Sequence, residues 1–155
     1  MDKVDQRIDD VKTQMDTYHG YDIYRTSIYA DTPEVFTPDK AHSNGFKLSL
    51  QGKTTEDGLF LYERLIDLLD ETQTAYKLAT WLRFKHHHPE QSKKAMTIYV
   101  RDDWDVKDFA EEVYKRIIDY KGWEDISTPT SYEHYAGAVY FRNDRDENGE
   151  YIIAN

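Results

Sequence analysis

The stretch Phe46-Lys47-Leu48-Ser49-Leu50-Gln51 decides the fold that this sequence predicts. Its apolar residues alternate with polar ones, which is the period of a β-strand with one buried and one polar face. The same alternation recurs over 76–82, and further β-rich segments follow over 95–100, 138–142 and 150–154. The last two flank Asn148-Gly149, a typical hairpin turn. Together these segments predict a single antiparallel or mixed sheet of about five strands.

Three amphipathic segments predict helices. Apolar residues recur at helical spacing over 2–15, which indicates an N-terminal helix with a narrow apolar stripe. A longer helix is predicted from Thr54 or Thr55 to about Glu71, since a hydroxyl can cap its start and acidic residues occupy its first turn. Another is predicted over 105–120, before Gly122. With the two longer helices packed on one face of the sheet, the fold class is α+β.

Length and charge limit the possible functions. The 155 residues suit a single domain over 1–155, which we divide into an N-terminal helix and irregular segment over 1–44 and a core over 45–155. With 20 Lys and Arg against 30 Asp and Glu, the formal charge of -10 repels nucleic acid and anionic membranes. The chain has no cysteine, no long apolar run and a highly charged start. We therefore expect a cytoplasmic protein without nucleic-acid or membrane partners.

Two segments have superficial features of metal sites. Consecutive histidines in His86-His87-His88-Pro89 cannot all point at one ion, so this run is interpreted as a solvated loop. The stretch 144–149 matches the opening of a calcium loop. However, Asn155 stands where the closing glutamate should be, and strands rather than helices are predicted on both sides. We expect no metal and no cofactor.

Four basic residues lie in or beside the predicted strands of this acidic chain: Lys47, Lys77, Lys94 and Arg142. Each alone is compatible with an exposed edge-strand cation that discourages aggregation. If helices cover the apolar face of the sheet, however, the alternation of side chains brings Lys47, Lys77 and Arg142 out together on the other face. Clustered cations attract a multiply charged anion such as phosphate, and they lower one another's pKa, so that a lysine can act as a base.

Four short motifs follow one another along the chain. They are Phe46-Lys47-Leu48-Ser49-Leu50, Tyr76-Lys77-Leu78, Lys93-Lys94-Ala95-Met96-Thr97-Ile98-Tyr99 and Ala138-Val139-Tyr140-Phe141-Arg142. Their order resembles the phosphothreonine lyase superfamily, which includes effector lyases, lyase domains of lanthipeptide synthetases and related effector-like accessory proteins. The resemblance covers roughly 45–142 and implies an α+β fold. It also implies that Lys77 is the base that removes the α proton of a phosphorylated Thr or Ser, and that Lys47, Lys94 and Arg142 bind the phosphate.

The chain departs from the family pattern at Ser49. The family's first motif is Lys-x-His, whose histidine protonates the departing phosphate, whereas this chain has Lys47-Leu48-Ser49. A serine hydroxyl is a much weaker acid than an imidazolium, although it can donate a hydrogen bond. Loss of a general acid typically costs about 100- to 10,000-fold in rate. His42 or His134 could supply the proton from a loop instead.

The sequence leaves three functional hypotheses open. In the first, the protein eliminates phosphate from phosphothreonine or phosphoserine in a peptide or protein and leaves a dehydroamino acid. In the second, it is catalytically degenerate and binds a phosphopeptide or a partner protein, as the loss of the histidine at Ser49 favours. In the third, it is an acidic host-interaction or anti-defence protein whose charged surface acts without a pocket. The segment 17–44 is rich in Tyr, Thr, Asp and Pro, which predicts an irregular or short-stranded segment. It lies outside the resemblance, and its role stays open between a lid and a leader-peptide site.

Overall fold

The computed structural model of this protein describes residues 2–26, 43–86, 93–101, 103–126, 128–129 and 131–143. This part of the chain contains four helices and six strands. The helices are α1 (Lys3–Thr17), α2 (Thr55–Glu71), α3 (Trp81–His86) and α4 (Val106–Arg116). The strands are β1 (Asp22–Arg25), β2 (Ser43–Gln51), β3 (Ala75–Ala79), β4 (Lys94–Arg101), β5 (Glu133–Ala136) and β6 (Val139–Asn143).

The six strands form one sheet in the order β1-β3-β4-β2-β6-β5, and every pair is antiparallel. This confirms the predicted α+β class with a single sheet, which has six strands rather than about five. Strand β1 lies within 17–44, which was predicted to be irregular or short-stranded, and β5 comes from a segment in which the sequence predicted no strand. The predicted strand over 150–154 and its hairpin turn at Asn148-Gly149 lie outside the described residues.

The prediction of a strand over 76–82 was wrong at its C-terminal end. Strand β3 ends at Ala79, and Trp81 begins helix α3. Thr80 makes the turn, because its backbone N–H donates to the carbonyl of Tyr21 and its own carbonyl accepts from the backbone of Arg83. Trp81 therefore does not extend the face that carries Lys77.

Capping fixes where the two main helices begin. The hydroxyl of Thr54 accepts a hydrogen bond from the backbone of Asp57, so α2 begins where the sequence predicts. The carboxylate of Asp105 accepts from the backbones of Lys107 and Asp108 at the start of α4. Helix α4 ends at Arg116, four residues before the predicted end, and turns follow it. None of the described helices combines the length and the apolar character needed to cross a bilayer.

The hydrophobic core lies between the sheet and the two main helices. Helix α2 contacts β3 and β4, whereas α4 contacts β2, β5 and β6, and α1 lies against α2. Fully buried side chains from all these layers meet there, among them Leu48, Leu50, Leu61, Leu65, Ile98, Phe109 and Val113. Because Leu48 and Leu50 point into this core, Lys47 and Ser49 point to the opposite face of the sheet.

Candidate functional site

The strand register places the predicted cations on one face of the sheet. Lys77 of β3 lies opposite Thr97 of β4, and Thr97 lies opposite Ser49 of β2. Two residues before Ser49, Lys47 lies opposite Arg142 of β6. Directly opposed residues of an antiparallel pair point to the same side, as do residues two apart in one strand. Cations from three strands therefore share the face that the core does not occupy.

Lys94 joins this group from the start of β4. It lies opposite Gln51 at a register shift between β2 and β4, and it is buried. Its pKa is lowered to about 7, first by burial and then by the charges of four neighbouring cations: Lys47, Lys77, Arg83 and Arg142. We call these five side chains the cation cluster. Lys47 lies opposite Arg142, Lys94 and Arg142 both lie near the ring of Tyr132, and Lys77 and Arg83 both contact Asp22. Because these contacts bring the cations together, this face can hold a multiply charged anion.

Lys77 has the environment that a base requires. Burial lowers the pKa of its amine, and the charges of Arg83 and Lys47 lower it further, while Asp22 opposes them. Its Nζ lies 3.6 Å from Oδ2 of Asp22 and 5.7 Å from the ring centroid of Tyr24. Because a lowered pKa increases the neutral fraction at neutral pH, Lys77 is suited to accept a proton.

Asp22 and Arg83 belong to the site but were missed in the sequence. Asp22 lies in β1, within the segment interpreted as irregular or short-stranded, and Arg83 lies in α3, where the strand pattern breaks. The guanidinium of Arg83 donates from Nε to Oδ1 of Asp22 at 2.7 Å and from its second terminal nitrogen to Oδ2 at 2.5 Å. In the sequence, Asp22 and Tyr24 flank the apolar Ile23. This short alternation was the signal that could have indicated a strand at Asp22.

Tyr132 provides an aromatic surface beside two members of the cation cluster. The Nζ of Lys94 lies 4.6 Å from the centroid of its ring, and the guanidinium carbon of Arg142 lies 5.7 Å from it. The negative face of an aromatic ring attracts cations, and this attraction grows where water is excluded. Because Tyr132 is buried, it helps to keep these two like charges close together. No sequence motif indicated this residue.

Ser49 occupies the centre of the face. It is fully buried, and its hydroxyl donates to Oε1 of Gln51 at 3.3 Å. Ser49 lies opposite Tyr140 of β6, which in turn lies opposite His134 of β5. His134 is thus two strands from Ser49, roughly 10 Å at the usual strand spacing. Its Nε2 is 2.9 Å from the carbonyl of Gly137.

The remaining candidates from the sequence lie mostly outside the described residues. These are His42, His87, His88 and the acidic stretch 144–149. His86 ends helix α3. Within the described part of the chain, no group of three or more His, Asp or Glu side chains could hold a metal ion.

Solved structures with a similar fold include phosphothreonine lyases. A mutant of the Salmonella plasmid virulence C protein is 12% identical, with 96% of this chain and 89% of that chain covered and a TM-score of 0.50. An effector protein from Pseudomonas syringae pv. syringae strain 61 is 13% identical, with 92% and 64% covered and a TM-score of 0.50. A phosphothreonine lyase is 11% identical, with 90% and 84% covered and a TM-score of 0.50.

These likenesses show the fold alone: the chain has the fold of the phosphothreonine lyases. Comparison with protein-family models and with curated protein sequences gives no match. The roles of the individual side chains therefore depend on the geometry of the site described above.

Proposed function

We propose that this protein binds a phosphorylated threonine or serine of a peptide in the cation cluster and eliminates its phosphate, leaving a dehydroamino acid. The observation that carries the proposal is that buried Lys94 and partly buried Lys77, both with a lowered pKa, lie on one face together with further cations. Cations gathered on one face attract a multiply charged anion. A phosphate dianion is a compact ligand of that charge.

The phosphate is proposed to lie among Lys47, Lys94 and Arg142. Lys47 and Arg142 are direct cross-strand neighbours, and Lys94 shares the ring of Tyr132 with Arg142. The planar guanidinium of Arg142 suits two-point contact with phosphate oxygens, whereas the lysines act as point charges. Because Lys94 and Arg142 are almost fully buried, little water screens their attraction for the anion.

Lys77 is the proposed base. Its neutral amine takes the proton from Cα of the phosphorylated residue, the electron pair forms the Cα=Cβ double bond, and the Cβ–O bond breaks. The abstracted proton and the leaving phosphate together make hydrogen phosphate, so atoms and charge balance without a cofactor. Without an imidazole at Ser49, departure of the phosphate depends on stabilisation by cations, and the reaction should be about 100- to 10,000-fold slower than with a general acid.

A second candidate is phosphopeptide binding without turnover. It is favoured by Ser49, because the hydroxyl that replaces the family's acid is buried and donates to Gln51. In this candidate the same cations bind the phosphate, and Lys77 remains a charged ligand instead of a base.

Mixing the protein with phosphothreonine and phosphoserine peptides distinguishes these functions. Mass spectrometry would detect loss of the elements of phosphoric acid and thiol adducts of the product. We expect Lys77→Ala to abolish elimination. The control variant Asp119→Asn, which changes an exposed ion pair, should retain it. Absence of turnover with affinity that depends on Lys47 and Arg142 would favour binding. Absence of both activities would overturn the proposal.

A further inference from the structure

We infer that Asp22 is a positioning residue for Lys77, because its carboxylate ties the amine of Lys77 to the guanidinium of Arg83. The inference rests on the proposed function, since it concerns the residue proposed there as the base. Nothing in the family motifs quoted above includes Asp22, which precedes the region of resemblance in the chain.

The carboxylate of Asp22 contacts both cations at once. Its Oδ1 accepts from Nε of Arg83 at 2.7 Å, and its Oδ2 accepts from the terminal nitrogen of Arg83 at 2.5 Å. The same Oδ2 lies 3.6 Å from Nζ of Lys77. Only 9% of the side chain of Asp22 and 9% of that of Arg83 is exposed, so solvent screens this pairing weakly. A two-point guanidinium contact also fixes the orientation of the carboxylate towards Lys77.

The backbone holds these three residues in a fixed relation. The hydroxyl of Thr80 donates to the carbonyl of Gly20 at 2.6 Å, and its backbone N–H donates to Tyr21 at 2.9 Å. Thr80 joins the end of β3 to the start of α3, so it fastens the residues just before Asp22 to the turn that leads to Arg83. Asp22 is thereby held at the diagonal position next to Lys77 in the β1–β3 pair.

Charged and titratable groups face Lys77 from several elements. They are Asp22 and Tyr24 of β1, Lys47 of β2, Arg83 of α3 and Lys94 of β4. Within the described part of the chain, Asp22 is the carboxylate among these groups, and it raises the pKa of Lys77. Burial lowers this pKa by more, and the charges of Arg83 and Lys47 lower it further. Asp22 therefore gives the amine both an orientation and enough basicity to remove a proton.

The proton affinity of Lys77 can be measured without any substrate. Lysines are labelled by reductive methylation with ¹³C, the Lys77 signal is assigned from Lys77→Arg, and its pKa is obtained by NMR titration. We expect Asp22→Asn to lower the pKa of Lys77 by about 1 unit or more. Asp119→Asn is the matched control, since it removes a carboxylate from the exposed pair with Arg64, and it should leave the pKa of Lys77 unchanged. An unchanged or raised value in Asp22→Asn overturns the inference.

A second variant keeps the inference testable if Asp22→Asn does not fold. Arg83→Gln removes a charge that lowers the pKa of Lys77 and leaves the carboxylate of Asp22 to the amine alone. The pKa of Lys77 should then rise. A fall or no change in Arg83→Gln contradicts the inference.

Turnover provides an independent readout. In Asp22→Asn, the acidic limb of the pH–rate profile should shift to lower pH together with the pKa of Lys77, and kcat at the plateau should fall while KM changes little. If the wild-type protein eliminates no phosphate, the proposed function fails, whereas the NMR titration still decides the role of Asp22. Conversely, elimination that is unaffected by Asp22→Asn overturns the inference alone.

Discussion

Lys94 and Tyr132 form a cation–π pair in the proposed anion site, with 4.6 Å between Nζ and the ring centroid. Arg142 lies beside the same ring at 5.7 Å. The ring therefore stabilises two cations that repel each other, and it does so without the negative charge that would compete with an anionic ligand.

Replacing the ring of Tyr132 should weaken phosphate binding. We expect Tyr132→Leu to reduce the affinity for a phosphothreonine peptide by roughly 2- to 30-fold, the range that corresponds to one cation–π contact. Tyr132→Phe is the matched control, because it keeps the aromatic face, and its affinity should stay near the wild-type value. Calorimetric titration measures both variants, and equal losses in the two would contradict a role of the ring.

Binding of a phosphate dianion should be accompanied by proton uptake at Lys94. The pKa of its amine is about 7 in the unliganded protein, so at pH 8 most molecules carry it neutral. A nearby dianion raises this pKa, and the amine is then protonated in the complex. Affinity should consequently fall as pH rises from 7 to 9.

Calorimetry in two buffers of different ionisation enthalpy measures the proton uptake. Lys94→Met is expected to take up fewer protons than the wild-type protein at pH 8. Lys77 also has a lowered pKa, so it can take up a proton as well. The contribution of Lys94 is therefore the difference in proton uptake between the two proteins. Identical proton uptake in both proteins would contradict the assignment of this uptake to Lys94.

The lowered pKa of Lys94 also predicts how stability depends on pH. Its folded value of about 7 lies below the value of roughly 10.4 for an unfolded lysine, so the unfolded chain binds more protons between these limits. The free energy of unfolding should therefore rise with pH across this window, by at most about 1.4 kcal/mol per pH unit from this group. Below pH 7 both states are protonated, and the full destabilisation is present.

Urea unfolding at pH 6, 8 and 9.5 tests this dependence. The free energy of unfolding of Lys94→Met should rise less with pH than that of the wild-type protein. At pH 6, Lys94→Met should be the more stable of the two. A parallel dependence in both proteins would show that Lys94 titrates normally.

Restoring an imidazole at Ser49 tests whether the general acid is the missing component. We expect Ser49→His to raise the rate of phosphate elimination by about 100- to 10,000-fold, whereas Ser49→Ala should stay near the wild-type rate. Because Ser49 is fully buried, the larger ring can cost roughly 1–3 kcal/mol of stability, so the thermal unfolding of each variant must be measured alongside. A folded Ser49→His protein with an unchanged rate would argue against an otherwise intact site.

Local sequence pattern predicted part of this site. The alternation around Lys47 and Ser49 predicts that both side chains lie on one face of the sheet. This holds for any pairing partner, because successive side chains of a strand point to opposite faces. Helix α2 was predicted closely for a similar reason, since the capping hydroxyl of Thr54 and the apolar stripe lie within one segment.

The rest of the site depends on contacts between distant segments. Asp22 meets Arg83 because β1 pairs with β3 and α3 follows β3 directly. Tyr132 reaches Lys94 from a turn before β5. Neither contact leaves a periodic pattern in the sequence, so both appear only once the chain is folded.

The cation cluster also links the stability of the protein to the anions in solution, since three of its members, Arg83, Lys94 and Arg142, are buried. A ligand that binds only the folded state stabilises it in proportion to the logarithm of its concentration over its dissociation constant. Inorganic phosphate or sulfate should thus raise the melting temperature, and the protein should resist proteolysis best in anion-rich solution. The cations proposed to bind a phosphorylated partner would then also make the stability of the folded protein depend on the inorganic anions around it.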